Sequence, residues 1–386
     1  MFSRRLPPRA DVNALARAVA RCREEGTDFI DLTESNPTRA GIPYPDDLLI
    51  GLATTEALRY EPSPLGMRVA REAVARDCLR RGVIVDPAHV VVAASTSEAY
   101  TWLFKLLCNP GQSVLVPRPS YPLFEHLTRL EGIETATFDL EYHGRWEIDM
   151  ASLDAAPDST RAVILVSPNN PTGSYVSRRE IEQVSARCRQ RGWALIADEV
   201  FADYALEVNG PQTDLAARSD VLAFTLGGLS KSVGLPQVKL GWIAVGGPAA
   251  ARDDALSALE LIADSFLSVS TPVQLAACTL LARGADVRAA IRDRIRINLS
   301  ALREVACGFT ACDVPVIEGG WSAIIRVPAI RSEEALVLGL LEQQRVLAHP
   351  GYFFDCRHEA FVVVSLLPPP EAFREAAARL FRFATA

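Results

Sequence analysis

The sequence predicts an α/β protein: a large unit on a mostly parallel sheet, joined to a smaller α+β unit. Three observations lead there. Short, continuous, β-branched runs recur between residues 90 and 247. Longer amphipathic stretches separate them. Past residue 271 the pattern changes to long helical periodicity with two isolated strand-like runs. Continuous apolar runs alternating with helices mark parallel strands covered on both faces.

In chain order, VVVAA (90–94) is a strand that feeds a helix through 97–108. SVLVP (113–117) precedes a helix near 121–131, and TATF (135–138) is the third strand. RAVILVS (161–167) leads to a helix at 177–191, and WALIAD (193–198) follows. VLAFTL (221–226) and GWIAVGG (241–247) complete the series. Residues 274–306 then read as one long helix, with apolar side chains three and four apart. Strands at 323–328 and 360–367 alternate with helices near 332–343 and 371–383. The first 45 residues, helix then loop, are expected to pack with this C-terminal part. The expected division is therefore 46–270 for the large domain, with 1–45 and 271–386 forming the small one.

Composition narrows the partners. The 386 residues carry a net charge of −7, and basic runs go no further than pairs such as Arg80-Arg81. An acidic chain of this kind is not built for a phosphate backbone, so nucleic acid is not an expected partner. Eight cysteines form no CxxC pair, and the five histidines make no ligand-like cluster. That pattern reads as reduced thiols in the cytoplasm, without a metal site. No signal-peptide pattern opens the chain, and no apolar run is long enough to span a membrane.

In open α/β sheets ligands sit beyond the C-terminal strand ends. Those positions here are Ser95-Thr96-Ser97, Pro119-Ser120-Tyr121, SPNNPTG (167–173), Asp198-Glu199 and GLSK (228–231). Taken singly, each has a plain reading as a helix cap, a turn or a solvated loop. Their joint occurrence at successive strand ends asks for more. Ser95, Thr96 and Ser97 at a helix start suit a phosphate. Tyr121 offers a ring to stack on a flat group. Asp198 can hold a proton on a ring nitrogen. Lysine is rare here: Lys105, Lys231 and Lys239 are the only three among 40 basic residues. Lys231 can form an imine, which a guanidinium cannot. A phosphate, a planar ring, a ring nitrogen and an imine together describe pyridoxal 5′-phosphate.

With SPNNPTG, ADEV and GLSK in this order, the chain resembles the fold-type I pyridoxal-phosphate-dependent aminotransferases of class I/II, over roughly residues 28–383. The resemblance implies an aminotransferase that moves an amino group between an amino acid and a 2-oxo acid or related carbonyl. By the same resemblance Lys231 carries the imine and shuttles a proton, and Asp198 pairs with the ring nitrogen. Asn170 bonds the phenolic oxygen and Tyr121 stacks on the ring. Ser95, Thr96, Ser97, Ser230 and residue 239 hold the phosphate. Tyr60 reaches the phosphate of a second subunit, which implies a homodimer with shared sites.

Four positions depart from the family pattern. Lys239 stands where arginine is usual, and it grips phosphate without the planar fork. Phe201 replaces a tyrosine beside the cofactor, and Gly228 replaces a serine. Val363 occupies the place of the arginine that clamps the substrate carboxylate. Arg39 and Arg326 are the candidate substitutes, and Trp321 is a candidate pocket wall. These departures keep a lyase, decarboxylase or cyclase on the same scaffold as the alternative reading.

Overall fold

Continuous apolar runs along the middle of the chain become the strands of one central sheet. The structure is a computed structural model that describes residues 2–7, 13–206, 220–358 and 360–386. The strands are β1 (Ile30–Asp31), β2 (Val90–Ala93), β3 (Ser113–Arg118), β4 (Glu134–Tyr142), β5 (Trp146–Ile148), β6 (Thr160–Val166), β7 (Ala194–Asp198), β8 (Ala223–Gly228), β9 (Gly241–Gly246), β10 (Ser322–Arg326), β11 (Val346–Leu347), β12 (His349–Pro350) and β13 (Phe361–Ser365). The helices are α1 (Ala14–Glu24), α2 (Arg68–Arg80), α3 (Thr96–Leu107), α4 (Phe124–Glu131), α5 (Met150–Asp154), α6 (Arg178–Arg191), α7 (Leu229–Ser232), α8 (Ala249–Asp264), α9 (Thr271–Arg283), α10 (Ala285–Ala306), α11 (Glu333–Gln344) and α12 (Pro370–Thr385).

The sheet has eight strands in the order β2-β9-β8-β7-β6-β3-β4-β5. Strands β4, β3, β6, β7 and β8 run parallel, while β9 is antiparallel to both its neighbours and β5 is antiparallel to β4. Alternate side chains go to opposite faces, as a strand requires. Ile164, Ile196, Phe224 and Ile243 pack against Trp102 and Leu103 of α3 and Leu259 of α8. Val163, Leu165 and Leu195 pack on the other face against Leu153 of α5 and Ile181 and Val184 of α6. Both faces are dry, which is why these strands read as unbroken apolar runs.

Local signals set the helix boundaries. Ser177 and Glu180 form a reciprocal capping box at the start of α6, and Gly192 closes it in the left-handed region. Asn13 accepts from the backbone N–H of Ala16 to start α1. Helix α1 then packs on α11, and β1 lies parallel to β11. The N-terminal segment thus joins the C-terminal elements. Strands β10, β13 and β12 form a separate antiparallel sheet.

Two expectations about elements are corrected. The third strand is longer than TATF and turns back through β5, because Leu140, Tyr142 and Trp146 find an apolar partner surface. Residues 274–306 are two helices rather than one, divided at Gly284. A Cβ at Gly284 would stand 2.4 Å from Val233 Cγ1. The chain breaks there so that two helix ends can close on the turn that follows Lys231.

Candidate active site

Strand order reverses between β3 and β6, where the chain turns from building one side of the sheet to the other. The crevice at such a point is where open α/β sheets bind ligands. The loops after β3 and β6 meet across it: the Asn169 side-chain amide donates to Pro119 O at 3.3 Å. Asn169 Oδ1 also accepts from the backbone N–H and hydroxyl of Thr172, at 3.2 and 2.9 Å. Asn169 therefore belongs to the loop itself. Its neighbour Asn170 does not: Asn170 Oδ1 is buried without a hydrogen-bond partner. A buried amide oxygen left unpaired is costly, so the site is built for a further group at Asn170.

Lys231 lies in the single turn α7, directly after β8. Its Nζ stands 5.0 Å from the ring centre of Trp321 and 5.6 Å from that of Phe201. Those two rings meet edge to face at 5.4 Å. Burial lowers the Lys231 pKa, and the nearby Asp198 charge opposes that shift. A buried amine of this kind loses its proton more readily and becomes a nucleophile.

Asp198 ends β7. Its Oδ2 accepts from the Tyr100 hydroxyl at 2.9 Å and its Oδ1 from the Val200 N–H at 3.1 Å. Burial raises the carboxyl pKa, against the pull of Val200 N–H, Tyr100 and Lys231. Lys231 and Asp198 thus shift in opposite senses for one reason: low dielectric penalises both charges more than their separation allows them to compensate. Both residues keep some accessible surface although protein surrounds them. That is the position of groups on the floor of a cleft. A carboxylate there is suited to a protonated ring nitrogen, which would supply the missing counter-charge.

The residues expected to hold a phosphate gather at a helix start. Ser95 caps α3 and spends its hydroxyl on the Glu98 N–H at 3.1 Å. Thr96 and Ser97 stand half-buried in the first helical turn. Gly241 opens β9 against this turn, and a Cβ there would lie 2.9 Å from Ser95 C and 3.1 Å from Thr96 N. Gly228 pairs with Gly241 across the sheet and leads into Ser230. A Cβ at Gly228 would meet Leu240 O at 3.1 Å, so the backbones are already close. Lys239 sits two residues before β9 in the left-handed region, with its side chain exposed. The helix start, Ser230 and Lys239 therefore share one edge, and their chemistry fits a phosphate.

The wall over Lys231 comes from far along the chain. Gly173 closes the SPNNPTG loop with φ +69°, and a Cβ there would be 2.6 Å from Ile317 Cγ2. Its carbonyl accepts from the N–H groups of Glu318 and Gly319 at 3.1 and 2.8 Å. That anchors the segment ending in Trp321, which is buried with its indole N–H unpaired.

The other expected residues stand on the loop after β3, at the surface or in the smaller sheet. Tyr121 is half exposed on the loop after β3, two residues past the Pro119 carbonyl that Asn169 meets, and lines a cavity of about 790 Å³. Tyr60 is 70% exposed on the surface. Arg39 pairs with Glu34 at 3.5 Å and leaves 73% of its side chain in solvent. Arg326 is exposed at the far end of β10, about 13 Å along the strand from Ser322 beside Trp321. Val363 is buried among Ile324, Trp146 and Phe354, an apolar setting. Tyr100 and Tyr204 were missed by sequence reasoning. Tyr204 donates to the carbonyl of Lys231 at 2.6 Å. Neither belongs to a recognisable pattern, and only the packing of α3 and of the turn after β7 reveals them.

Comparison with known proteins gives the family and the fold. The family model for aminotransferase class I and II matches residues 52–380. Glutamate-pyruvate aminotransferase AlaA of Haemophilus influenzae is 27% identical, over 94% of this chain and 92% of its own. An alanine aminotransferase of Mycobacterium bovis is also 27% identical, over 87% and 81%. The structure of an alanine aminotransferase from Pyrococcus furiosus superposes with a TM-score of 0.88 at 22% identity, over 96% of both chains. A single mutant of Thermus thermophilus aspartate aminotransferase superposes with a TM-score of 0.85 at 23% identity, over 99% of both. The two structures share the fold.

Proposed function

This chain belongs to the class I and II aminotransferases, and from that premise we propose that it works with pyridoxal 5′-phosphate held by the cluster around Lys231 and Asp198. It is an enzyme that transfers amino groups, as the resemblance in its sequence implied. The observation that supports the cofactor most directly is the unpaired Asn170 oxygen, on the loop after β6, the strand that pairs with β7 and its terminal Asp198. Lys231 would bind the aldehyde carbon, Asp198 the ring nitrogen and Asn170 the phenolic oxygen. Ser95, Thr96, Ser97, Ser230 and Lys239 would hold the phosphate, with Tyr121 against the ring.

When bound, the group supplies an electron sink for the charge left on the substrate carbon after proton removal. The protein supplies the rest. Lys231 Nζ takes the proton from the substrate α-carbon and later returns one. Its lowered pKa makes the neutral amine available for that task. Tyr100 and Val200 N–H keep Asp198 aimed and favour its charged form, which holds a proton on the ring nitrogen. Phe201 and Trp321 exclude water from around Nζ. Phe201 carries no hydroxyl, so the wall shields without donating a hydrogen bond.

The finer assignments follow from surface features. Residues 46–270 would form the large domain, with the two ends of the chain forming the small one. Tyr60 shares a surface hollow with Leu267, near exposed Leu58, Leu261 and Phe266. This apolar patch suits a second copy of the chain, with Tyr60 reaching across to its site. Light scattering should find a dimer; a fully active monomer would remove that part. Eight cysteines, none of them in a disulfide, suit the cytoplasm.

The names of the relatives make alanine and glutamate the first donors to test. Mixed with the loaded enzyme and no acceptor, the true donor should yield about one oxo acid per site and then stop. Continued release of ammonia or carbon dioxide without an acceptor would overturn transamination in favour of lyase or decarboxylase chemistry.

A further inference from the structure

We infer that a buried ionic platform beneath α7, centred on Asp203, sets the position of Lys231 relative to Asp198. This rests on the reading of Lys231 as the reacting amine. Asp203 is then a positioning residue: it touches neither substrate nor cofactor.

Helix α7 is one turn of four residues, too short to hold itself in place. Its terminal carbonyls need donors from elsewhere. The Tyr204 hydroxyl donates to Lys231 O at 2.6 Å and reaches Ser232 O at 3.2 Å. Arg288 Nε of α10 donates to Ser232 O at 3.0 Å. The Ser232 hydroxyl donates to Asp203 Oδ2 at 2.9 Å. The lysine backbone is thus held by Tyr204 directly and by Asp203 through Ser232 and Arg288.

The platform itself is charged and, apart from Arg80, mostly buried. The Asp203 side chain is 6% exposed and pairs with Arg80 at 2.5 Å and Arg288 at 3.5 Å. Asp77 pairs with the same two arginines at 2.9 and 3.6 Å. Arg81 pairs with Glu199 at 3.3 Å. Burial pushes the Asp203 carboxyl up, but Arg288, Arg80 and Arg81 outweigh it and hold its pKa below the usual range. Three guanidinium groups thus face three carboxylates, drawn from α2, α10 and the turn after β7.

One short segment joins the platform to the chemistry. Residues 198–204 supply Asp198, Glu199, the Phe201 ring beside Nζ, Asp203 and Tyr204. The segment that carries the carboxylate therefore also carries both anchors of α7. Moving one moves the other. A misplacement of about 1 Å between reacting groups can cost on the order of 100-fold in rate.

Two variants separate positioning from simple support. Ser232→Ala removes the hydroxyl link from Asp203 to α7, keeps the Arg288 and Tyr204 bonds to the backbone carbonyls, and leaves all six charges in place. It should keep Tm close to that of the parent while kcat falls about tenfold with an unchanged donor KM, a loss in a step beyond binding. Asp203→Glu keeps the charge but lengthens the arm. Relative to Asp203→Ala it should regain Tm without regaining kcat. A second readout needs no turnover. The protein is freed of small molecules and given pyridoxal 5′-phosphate, and the imine that forms with loss of water is trapped by borohydride and located by mass. Trapping at Lys231 should be about tenfold slower in Ser232→Ala than in the parent. If both variants match the parent in kcat per folded molecule and in trapping rate, the platform is only structural and the inference falls. If the parent itself traps nothing at Lys231, the reading of the site has failed instead.

Discussion

Lys231→Ala should lose at least about 10⁴-fold in kcat. The estimate combines a lost general base, worth about 10² to 10⁴ alone, with a lost nucleophile. Nothing nearby can replace it. The neighbours of Nζ are the rings of Phe201 and Trp321, and the remaining lysines are Lys105, paired with Glu131 beside α4, and the exposed Lys239. Lys231→Arg should be equally inactive, because a guanidinium stays protonated. Unfolding would not explain the loss. Burial already disfavours the charged amine, so removing it does not strip the fold of a favourable ion pair. Kinetics with the identified donor, alongside a melting curve, check this. Full turnover by Lys231→Ala would refute the assignment.

Asp198→Asn should lower kcat by about 10² to 10³, the range seen when one aimed electrostatic partner is removed. The amide fills the same space and can still meet the Val200 N–H, but it has no negative charge. It cannot keep a proton on a ring nitrogen. Tyr100→Phe tests the same site more gently. It leaves the carboxylate and removes one hydrogen bond to a charged group, so a loss of about tenfold is expected. The order matters as much as the sizes: Asp198→Asn must be the more severe. If Asp198→Asn stays within about threefold of the parent, the carboxylate is not supporting the reaction.

The strand ends show how much of the site was legible. Asp198 and Lys231 could be placed because each follows a continuous apolar run, and a strand's end is readable from where that run stops. Phosphate-suited residues at 95–97 were readable as a helix start for the same reason. The resemblance singled out Asn170 over Asn169, but the physical difference between the two is not written in adjacent letters. That depends on which amide meets Pro119 and Thr172 and which is left unpaired. Tyr100, Tyr204 and Arg288 were invisible, because each acts through a contact with a distant segment. Arg288 reaches Ser232 across 56 residues and Tyr100 reaches Asp198 across 98. Sequence spacing carries no record of such pairs.

By itself, then, the amino-acid sequence determined the class of the sheet and its succession of strands and helices, and it singled out Lys231 as the candidate amine. These are local properties: period, branching at Cβ, and a lysine where arginine would serve any other purpose. Tertiary structure alone shows that 274–306 breaks at Gly284, where the chain passes so close to Val233 that a Cβ would stand 2.4 Å from its Cγ1. It also decided that Val363 faces Trp146 and Phe354 rather than a charge, and that Trp321 closes over Lys231. The physical reason is the same in each case. Hydrophobic periodicity is written along one chain, whereas steric exclusion, burial and unpaired polar atoms arise only when separate segments compete for the same space.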